Sequence, residues 1–152
     1  MPLYHFTDPR NLPSIRRIGL FSWHQLDLRG IEHFPASNEL SRTLDARRNL
    51  QNYVRLCLRP QHPMATRALM DGRIRAVVWL TIDDAVTRWR ATLFSDRNAA
   101  ANAAVINNNP QTALGSNDPQ AEVLVEGSLA LRWITFPPEP QARIVAPHDL
   151  PF

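Results

Sequence analysis

The feature that most constrains this chain is the segment Pro119-Gln120-Ala121-Glu122-Val123-Leu124-Val125. Its last three residues favour a buried strand. The polar stretch before it, residues 107–119, is rich in turn formers and predicts a long loop of the kind that is usually functional or disordered. Glu122 therefore stands where a loop enters a strand, which suits a catalytic acid or base. The alternative is a surface glutamate at a strand edge, and from the residues alone that is the more common outcome.

Composition limits the classes of protein that this chain can belong to. Its 152 residues, 44% of them hydrophobic, predict a single domain over residues 1–152 with a real core. A single cysteine, Cys57, excludes an internal disulfide framework and a cysteine-based zinc cluster, and its apolar surroundings predict a buried thiol. No apolar run is long enough to span a membrane and the first residues lack a signal-peptide layout. We therefore expect a cytoplasmic protein with no membrane partner.

All 17 basic residues are arginine. Arginine suits bidentate contacts with phosphate and stacking on bases, as a nucleic-acid partner requires. A bias in genomic base composition produces the same substitution of arginine for lysine, and both explanations remain open.

Short strands and helices alternate along the predicted chain. A helix begins near Asn11, which is predicted to cap it, and ends at Gly19. A second helix is predicted from Ser95 through the alanines to Ala104. Strands are predicted at 3–7, 50–58, 74–82, 122–125 and 133–136, with an edge strand at 141–145; shorter helices or turns are predicted at 37–45, 64–70, 83–90 and 127–129.

Histidines offer few candidates for a metal site. His24, Asp27 and His33 match no standard ligand spacing, so no metal is predicted. His5 lies near a predicted strand end, where a histidine is either a structural hydrogen-bonding group or a member of an active site. The sequence contains no P-loop, no glycine-rich dinucleotide fingerprint and no nucleophile elbow.

Five segments, in order and at similar spacing, resemble the DarT family of DNA-targeting ADP-ribosyltransferase toxins. They are Tyr4-His5-Phe6-Thr7, Asn11-Leu12-Pro13-Ser14-Ile15 with Gly19-Leu20, Tyr53-Val54 with His62-Pro63-Met64, Phe94-Ser95-Asp96-Arg97-Asn98-Ala99, and Gln120-Ala121-Glu122. The resemblance covers roughly residues 3 to 136, and its first and last segments are the most specific. The chain resembles a compact, divergent branch, because the segment between Arg42 and Tyr53 is shorter than in thymidine-modifying members and Arg55-Leu56-Cys57-Leu58 replaces an aromatic-rich strand.

The resemblance implies an α+β, ADP-ribosyltransferase-like fold: a split, mostly antiparallel β-sheet core with flanking short helices and NAD in the cleft. It implies a toxin of a toxin–antitoxin system that transfers ADP-ribose from NAD to guanosine or thymidine in single-stranded DNA. Its partner would be a cognate antitoxin that removes the ADP-ribose. The alternatives are an ADP-ribosyltransferase acting on RNA or protein, a non-catalytic NAD-binding module, and an interaction domain that uses its arginines on nucleic acid without NAD.

The resemblance also implies which residues form the site. Glu122 matches the catalytic glutamate, and His5 matches the histidine that contacts the NAD ribose. Thr7 and Asn11 would lie beside the same cleft, and Tyr53 would help to hold the nicotinamide riboside. The functional arginine matches Arg42 best, with Arg47 and Arg48 as alternatives, and it would hold the NAD pyrophosphate or orient Glu122.

Overall fold

The computed structural model describes residues 1–138, and the predicted edge strand at 141–145 lies outside them. Nine strands and five α-helices are described, together with three 3₁₀ turns at Pro9–Asn11, Asp84–Arg88 and Leu131–Trp133. The strands are β1 (Leu3–Thr7), β2 (Leu20–Phe21), β3 (Tyr53–Cys57), β4 (Val78–Ile82), β5 (Leu93–Ser95), β6 (Ile106–Asn107), β7 (Glu122–Glu126), β8 (Ser128–Leu129) and β9 (Ile134–Thr135). The helices are α1 (Leu12–Ile18), α2 (Trp23–Leu28), α3 (Glu39–Arg47), α4 (Pro63–Met70) and α5 (Pro110–Leu114).

Seven strands form one sheet in the order β6-β5-β7-β3-β1-β4-β9, and β2 pairs with β8 in a separate ribbon. Every described pairing is antiparallel. The pairing of β1 with β3 is the shortest in the sheet, because these strands share one register pair, Tyr4 with Cys57, whereas β1 and β4 share five. The sheet is therefore split between β1 and β3, and the expected α+β fold with a split, antiparallel core is confirmed.

One face of the sheet forms the main core. Leu56, Leu80 and Val123 come from three different strands and are fully buried there. Because side chains alternate along a strand, the opposite face of β3 carries Tyr53, Arg55 and Cys57. This second face adjoins the split. Cys57 is buried, as predicted.

Two predicted segments differ from the structure. The helix at 95–104 does not form: Ser95 ends β5, and residues 96–104 make turns. Asp96 accepts the N–H of Val105, and Asn98 accepts the N–H of Ala100, so side chains bind the backbone groups that a helix would use. The predicted unstructured loop at 107–119 contains α5, which Asn109 caps by accepting the N–H of Gln111.

Other differences concern the bounds of elements, one turn and one cap. The strand predicted at 74–82 begins at Val78, and the strand predicted at 133–136 is limited to Ile134–Thr135. The turn predicted at 127–129 contains β8, because Ser128 and Leu129 pair with Phe21 and Leu20. Asn11 precedes α1 but makes no capping hydrogen bond. Within residues 1–138, no helix is long and apolar enough to cross a membrane.

Candidate active site

A cleft opens where β1 and β3 diverge. Its cavity volume is about 170 Å³, and it is open to solvent on one side. Five of the six residues that the sequence analysis selected line it, namely His5, Thr7, Asn11, Tyr53 and Glu122. The structure thus brings together residues that are up to 117 positions apart in the chain.

Glu122 is the first residue of β7 and is only 3% exposed, so it is not the surface glutamate of the alternative interpretation. Its Oε2 accepts hydrogen bonds from Nη2 of Arg55 at 2.8 Å, from Nε of Arg55 at 3.2 Å and from the N–H of Ala99 at 2.9 Å. Within residues 1–138, Oε1 accepts no hydrogen bond, and it keeps some solvent-accessible surface. One oxygen is therefore held by the protein and the other is open to the cleft that Glu122 lines.

Arg55 lies at the centre of this site. Besides Glu122, its guanidinium donates through Nη1 to Oδ1 and Oδ2 of Asp45 at 3.2 and 3.4 Å, and through Nη2 to Oδ1 of Asn98 at 2.9 Å. Burial disfavours the charged form of Arg55, but the carboxylates of Glu122 and Asp45 outweigh burial and raise its pKa. Arg55 is therefore a permanent cation between two acids.

Asp45 is a second buried acid, 2% exposed, in the last turn of α3. Burial raises the pKa of Asp45, while the charge of Arg55 opposes that rise. The buried indole Nε1 of Trp23 lies near enough to lower the same pKa, yet it makes no hydrogen bond of normal geometry within residues 1–138. With both acids ionised, the cluster carries one net negative charge.

His5 bridges the split in the sheet. Its Nδ1 lies 2.9 Å from the carbonyl oxygen of Arg55, so a side chain replaces a ladder hydrogen bond between β1 and β3. Burial lowers the pKa of His5, which keeps the ring neutral. Since a carbonyl only accepts, Nδ1 carries the proton and Nε2 is an acceptor.

Asn11 positions a loop instead of capping a helix. It donates from Nδ2 to the carbonyl oxygen of Phe34 and to Oγ1 of Thr7, and it accepts the N–H of Phe34. The Arg10 guanidinium stacks on the Phe34 ring at 4.1 Å. Residues 33–37 line the cleft, so Asn11 shapes one wall of it.

The predicted arginines lie elsewhere. Arg42, on α3, donates to Oγ of Ser37 at 3.3 Å and lies 5.9 Å from the centre of the Trp23 ring. Within residues 1–138 it is Arg55, and not Arg42, that hydrogen-bonds Glu122. A functional role of Arg42, including a contact with NAD, stays a prediction. Arg47 is exposed, and Arg48 donates to the carbonyl oxygen of Asn102.

Sequence reasoning missed Arg55, Asp45 and Asn98. The available signal was an arginine at the centre of an otherwise apolar strand, since such a charge is almost never buried without a partner. Its partners are 10, 43 and 67 residues away in the chain, so spacing does not reveal them.

The arrangement provides two buried acids around one arginine, a carboxylate oxygen of Glu122 without a hydrogen bond, and a neutral imidazole acceptor at His5. Such a site can stabilise positive charge that develops on a bound sugar and can accept a proton from an attacking group. Within the described residues, no group of three or more histidine, cysteine or acidic side chains is placed to hold a metal ion.

Comparison with known proteins agrees with this geometry. A family model described as "DarT: ssDNA thymidine ADP-ribosyltransferase" matches residues 4–117. No curated protein matches the chain.

Three solved structures share the fold. Thermosipho africanus DarTG in complex with ADP-ribose has 21% identity and a TM-score of 0.73, covering 88% of this chain and 42% of that one. Thermus sp. 2.9 DarT in complex with ADP-ribosylated ssDNA has 19% identity and a TM-score of 0.67, covering 91% and 82%. The same DarT in complex with NAD+ has 19% identity and a TM-score of 0.64, covering 91% and 83%. The chain thus spans less than half the length of the DarTG chain.

Proposed function

This chain belongs to the DarT family, and on that basis we propose that it is an ADP-ribosyltransferase that transfers ADP-ribose from NAD to a nucleobase of single-stranded DNA. The observation that carries the proposal is the carboxylate of Glu122, which is held at Oε2 by Arg55 and Ala99 and open to the cleft at Oε1. Structures of DarT with NAD+ and with ADP-ribosylated ssDNA support the substrates.

The proposed reaction breaks one bond to C1′ of the nicotinamide ribose and forms another. The bond between C1′ and the nicotinamide nitrogen breaks, and its electron pair leaves with nicotinamide, which becomes neutral. The ribose passes through an oxocarbenium-like state, as in glycoside hydrolysis. A nitrogen of the target base then bonds to C1′ and releases its proton to Oε1 of Glu122.

Five residues of the cleft have a role in this proposal. Glu122 stabilises the sugar cation and hydrogen-bonds the ribose, and Arg55 keeps that carboxylate in place. Neutral His5 accepts a hydrogen bond from a ribose hydroxyl at Nε2. Tyr53 and Thr7 complete the walls of the cleft around the nicotinamide riboside.

The target base and the biological partner belong to the same proposal. The family model names thymidine, whereas the shortened segment before Tyr53 keeps guanosine open as the acceptor. A single-stranded substrate avoids the cost of extruding a base from a duplex. We also propose a cognate antitoxin that removes the ADP-ribose, in line with the fold that this chain shares with the longer DarTG chain.

Mass spectrometry of oligonucleotides tests the reaction. Four single-stranded oligonucleotides, each offering one reactive base, are incubated with the protein and NAD. The expected result is one ADP-ribose on one of them, which also identifies the base. Absence of any adduct would contradict the proposal, and parallel reactions with RNA and protein would show whether another target is used.

A matched pair of variants tests the role of Glu122. Glu122→Gln keeps the shape but removes the charge and the proton acceptor, so transfer should fall by at least about 100-fold. Glu39→Gln changes an exposed glutamate on α3 and should retain activity. Equal activity of the two variants would refute the assignment.

A further inference from the structure

The cleft contains a second buried carboxylate, Asp45, to which the proposed reaction assigns no role. An ionised acid that is 2% exposed is costly unless it is paired. Its ion-pair partner within residues 1–138 is Arg55, the same guanidinium that holds Glu122. Asp45 also lines the cleft.

The planar geometry of Arg55 couples the two acids. Nη1 points to Asp45, whereas Nε and Nη2 point to Oε2 of Glu122. Because the guanidinium is rigid and flat, fixing one edge fixes the direction of the other. Asn98 accepts a further bond from Nη2, so all three nitrogens of the guanidinium are engaged.

We infer that Asp45 is a positioning residue for Glu122 that acts through Arg55. It fixes the guanidinium so that Oε2 is held and Oε1 alone faces the substrate. A carboxylate fixed in this way favours the sugar cation over the ground state, so Asp45 acts on kcat more than on substrate binding.

This inference rests on the proposed function. The simpler role for Asp45 is structural, since it also attaches α3 to β3 through Arg55. A structural role predicts a loss of stability with little change in the turnover of the folded enzyme. A positioning role predicts a loss of turnover in a protein that remains folded.

Kinetics of oligonucleotide transfer separate the two roles. Asp45→Asn should lower kcat by about 10- to 100-fold while KM for NAD changes by less than about threefold. Asp45→Glu, which keeps the charge, should recover part of the loss. Glu39→Gln, an exposed acid on the same helix, serves as the control and should have wild-type kcat. Wild-type kcat in folded Asp45→Asn would overturn the inference.

A double-mutant cycle tests the route through Arg55. Arg55→Lys keeps a positive charge but removes the planar fork. If Asp45 acts through that fork, adding Asp45→Asn to Arg55→Lys should lower kcat by less than about twofold further. If the fold-loss in kcat of the double variant equals the product of the fold-losses of the two single variants, Asp45 acts independently of Arg55 and the inference is overturned.

A spectroscopic measurement keeps the test separate from activity. In protein labelled with ¹³C at glutamate carboxyls, the Glu122 resonance is identified by its loss in Glu122→Gln. It should broaden or split in Asp45→Asn and in Arg55→Lys, because the carboxylate then samples several positions. An unchanged resonance in Asp45→Asn would overturn the inference even if kcat fell. If the wild-type protein transfers nothing, the proposed function fails while this measurement still tests the positioning. Should Asp45→Asn not fold, the same measurement is made on Asp45→Glu, whose longer side chain also displaces the contact with Nη1 of Arg55.

Discussion

The side chain of Asn11 binds the backbone of Phe34 on both sides, accepting its N–H at 2.8 Å and donating to its carbonyl oxygen at 2.9 Å. The side-chain amide thereby makes the two hydrogen bonds that the backbone of a neighbouring strand would make with Phe34. Since Phe34 is part of the loop that lines the cleft, this pair links the start of α1 to a wall of the proposed NAD site.

We expect Asn11→Ala to weaken NAD binding more than turnover. Two backbone groups of Phe34 lose their partner, and each such hydrogen bond contributes about 1 kcal/mol. In the variant, part of the binding free energy of NAD has to order the loop at residues 33–37. We therefore expect KM for NAD to rise by about 10-fold, with kcat within about threefold of wild type.

Steady-state kinetics against NAD concentration check this prediction. Asn102→Ala is the matched control, because residue 102 is exposed and its side chain makes no hydrogen bond within residues 1–138. Unchanged KM in Asn11→Ala, or a fall confined to kcat, would contradict a role in shaping the cleft.

Local pattern was sufficient to place Glu122 at the start of a strand, whereas a position in the cleft for Glu122 and His5 was implied only by the resemblance. An acid that precedes Val123-Leu124-Val125 is at a strand start whatever the rest of the chain does. The resemblance added the family and the split sheet, and both were confirmed. The partners of Glu122 could not be predicted in the same way, because the register that pairs Arg55 with Leu124 brings together strands that are distant in the chain.

Local propensity also failed where side chains competed with the backbone. The alanines at 99–101 predict a helix, but Glu122 takes the N–H of Ala99 and Asn98 takes the N–H of Ala100. The site itself therefore prevents the helix. The same competition explains Asn11, whose side chain is used on Phe34 and Thr7 instead of on α1.

His62 should make the protein sensitive to mild acid. It caps α4 by accepting the N–H of Met64 at Nδ1, so in the neutral ring the proton is on Nε2, which is buried without a partner within residues 1–138. Burial lowers the pKa of His62 below its usual 6.5, with the charge of Glu122 opposing that shift. As pH falls below 6.5, the unfolded chain takes up a proton that the folded chain excludes, so the free energy of unfolding decreases.

His62→Asn tests this sensitivity, because asparagine is a strong helix cap with no titratable group. We expect urea denaturation at pH 7 to show a change of less than about 1.5 kcal/mol, since the cap is kept and the loss is limited to the ring contacts. At pH 5 the variant should gain stability relative to wild type. His62→Ala, which also removes the cap, should be less stable than His62→Asn by about 1 kcal/mol at both pH values. A parallel pH dependence in wild type and His62→Asn would exclude His62 as the cause.

Gly19 should be required for the junction between α1 and β2. Its φ is +91°, and a Cβ at this position would overlap the backbone carbonyl oxygen of Leu129. Leu129 cannot move away easily, because it pairs with Leu20 and is fully buried. Gly30 has a φ of +65°, and a Cβ there would meet no atom within 4 Å. A substitution at Gly30 therefore incurs only the conformational cost of a positive φ, without a steric clash. Gly30→Ala should therefore cost about 1 kcal/mol, whereas Gly19→Ala should cost more than about 3 kcal/mol. Urea denaturation of the two variants measures the difference, and equal losses would show that the β2–β8 ribbon yields to the added methyl group.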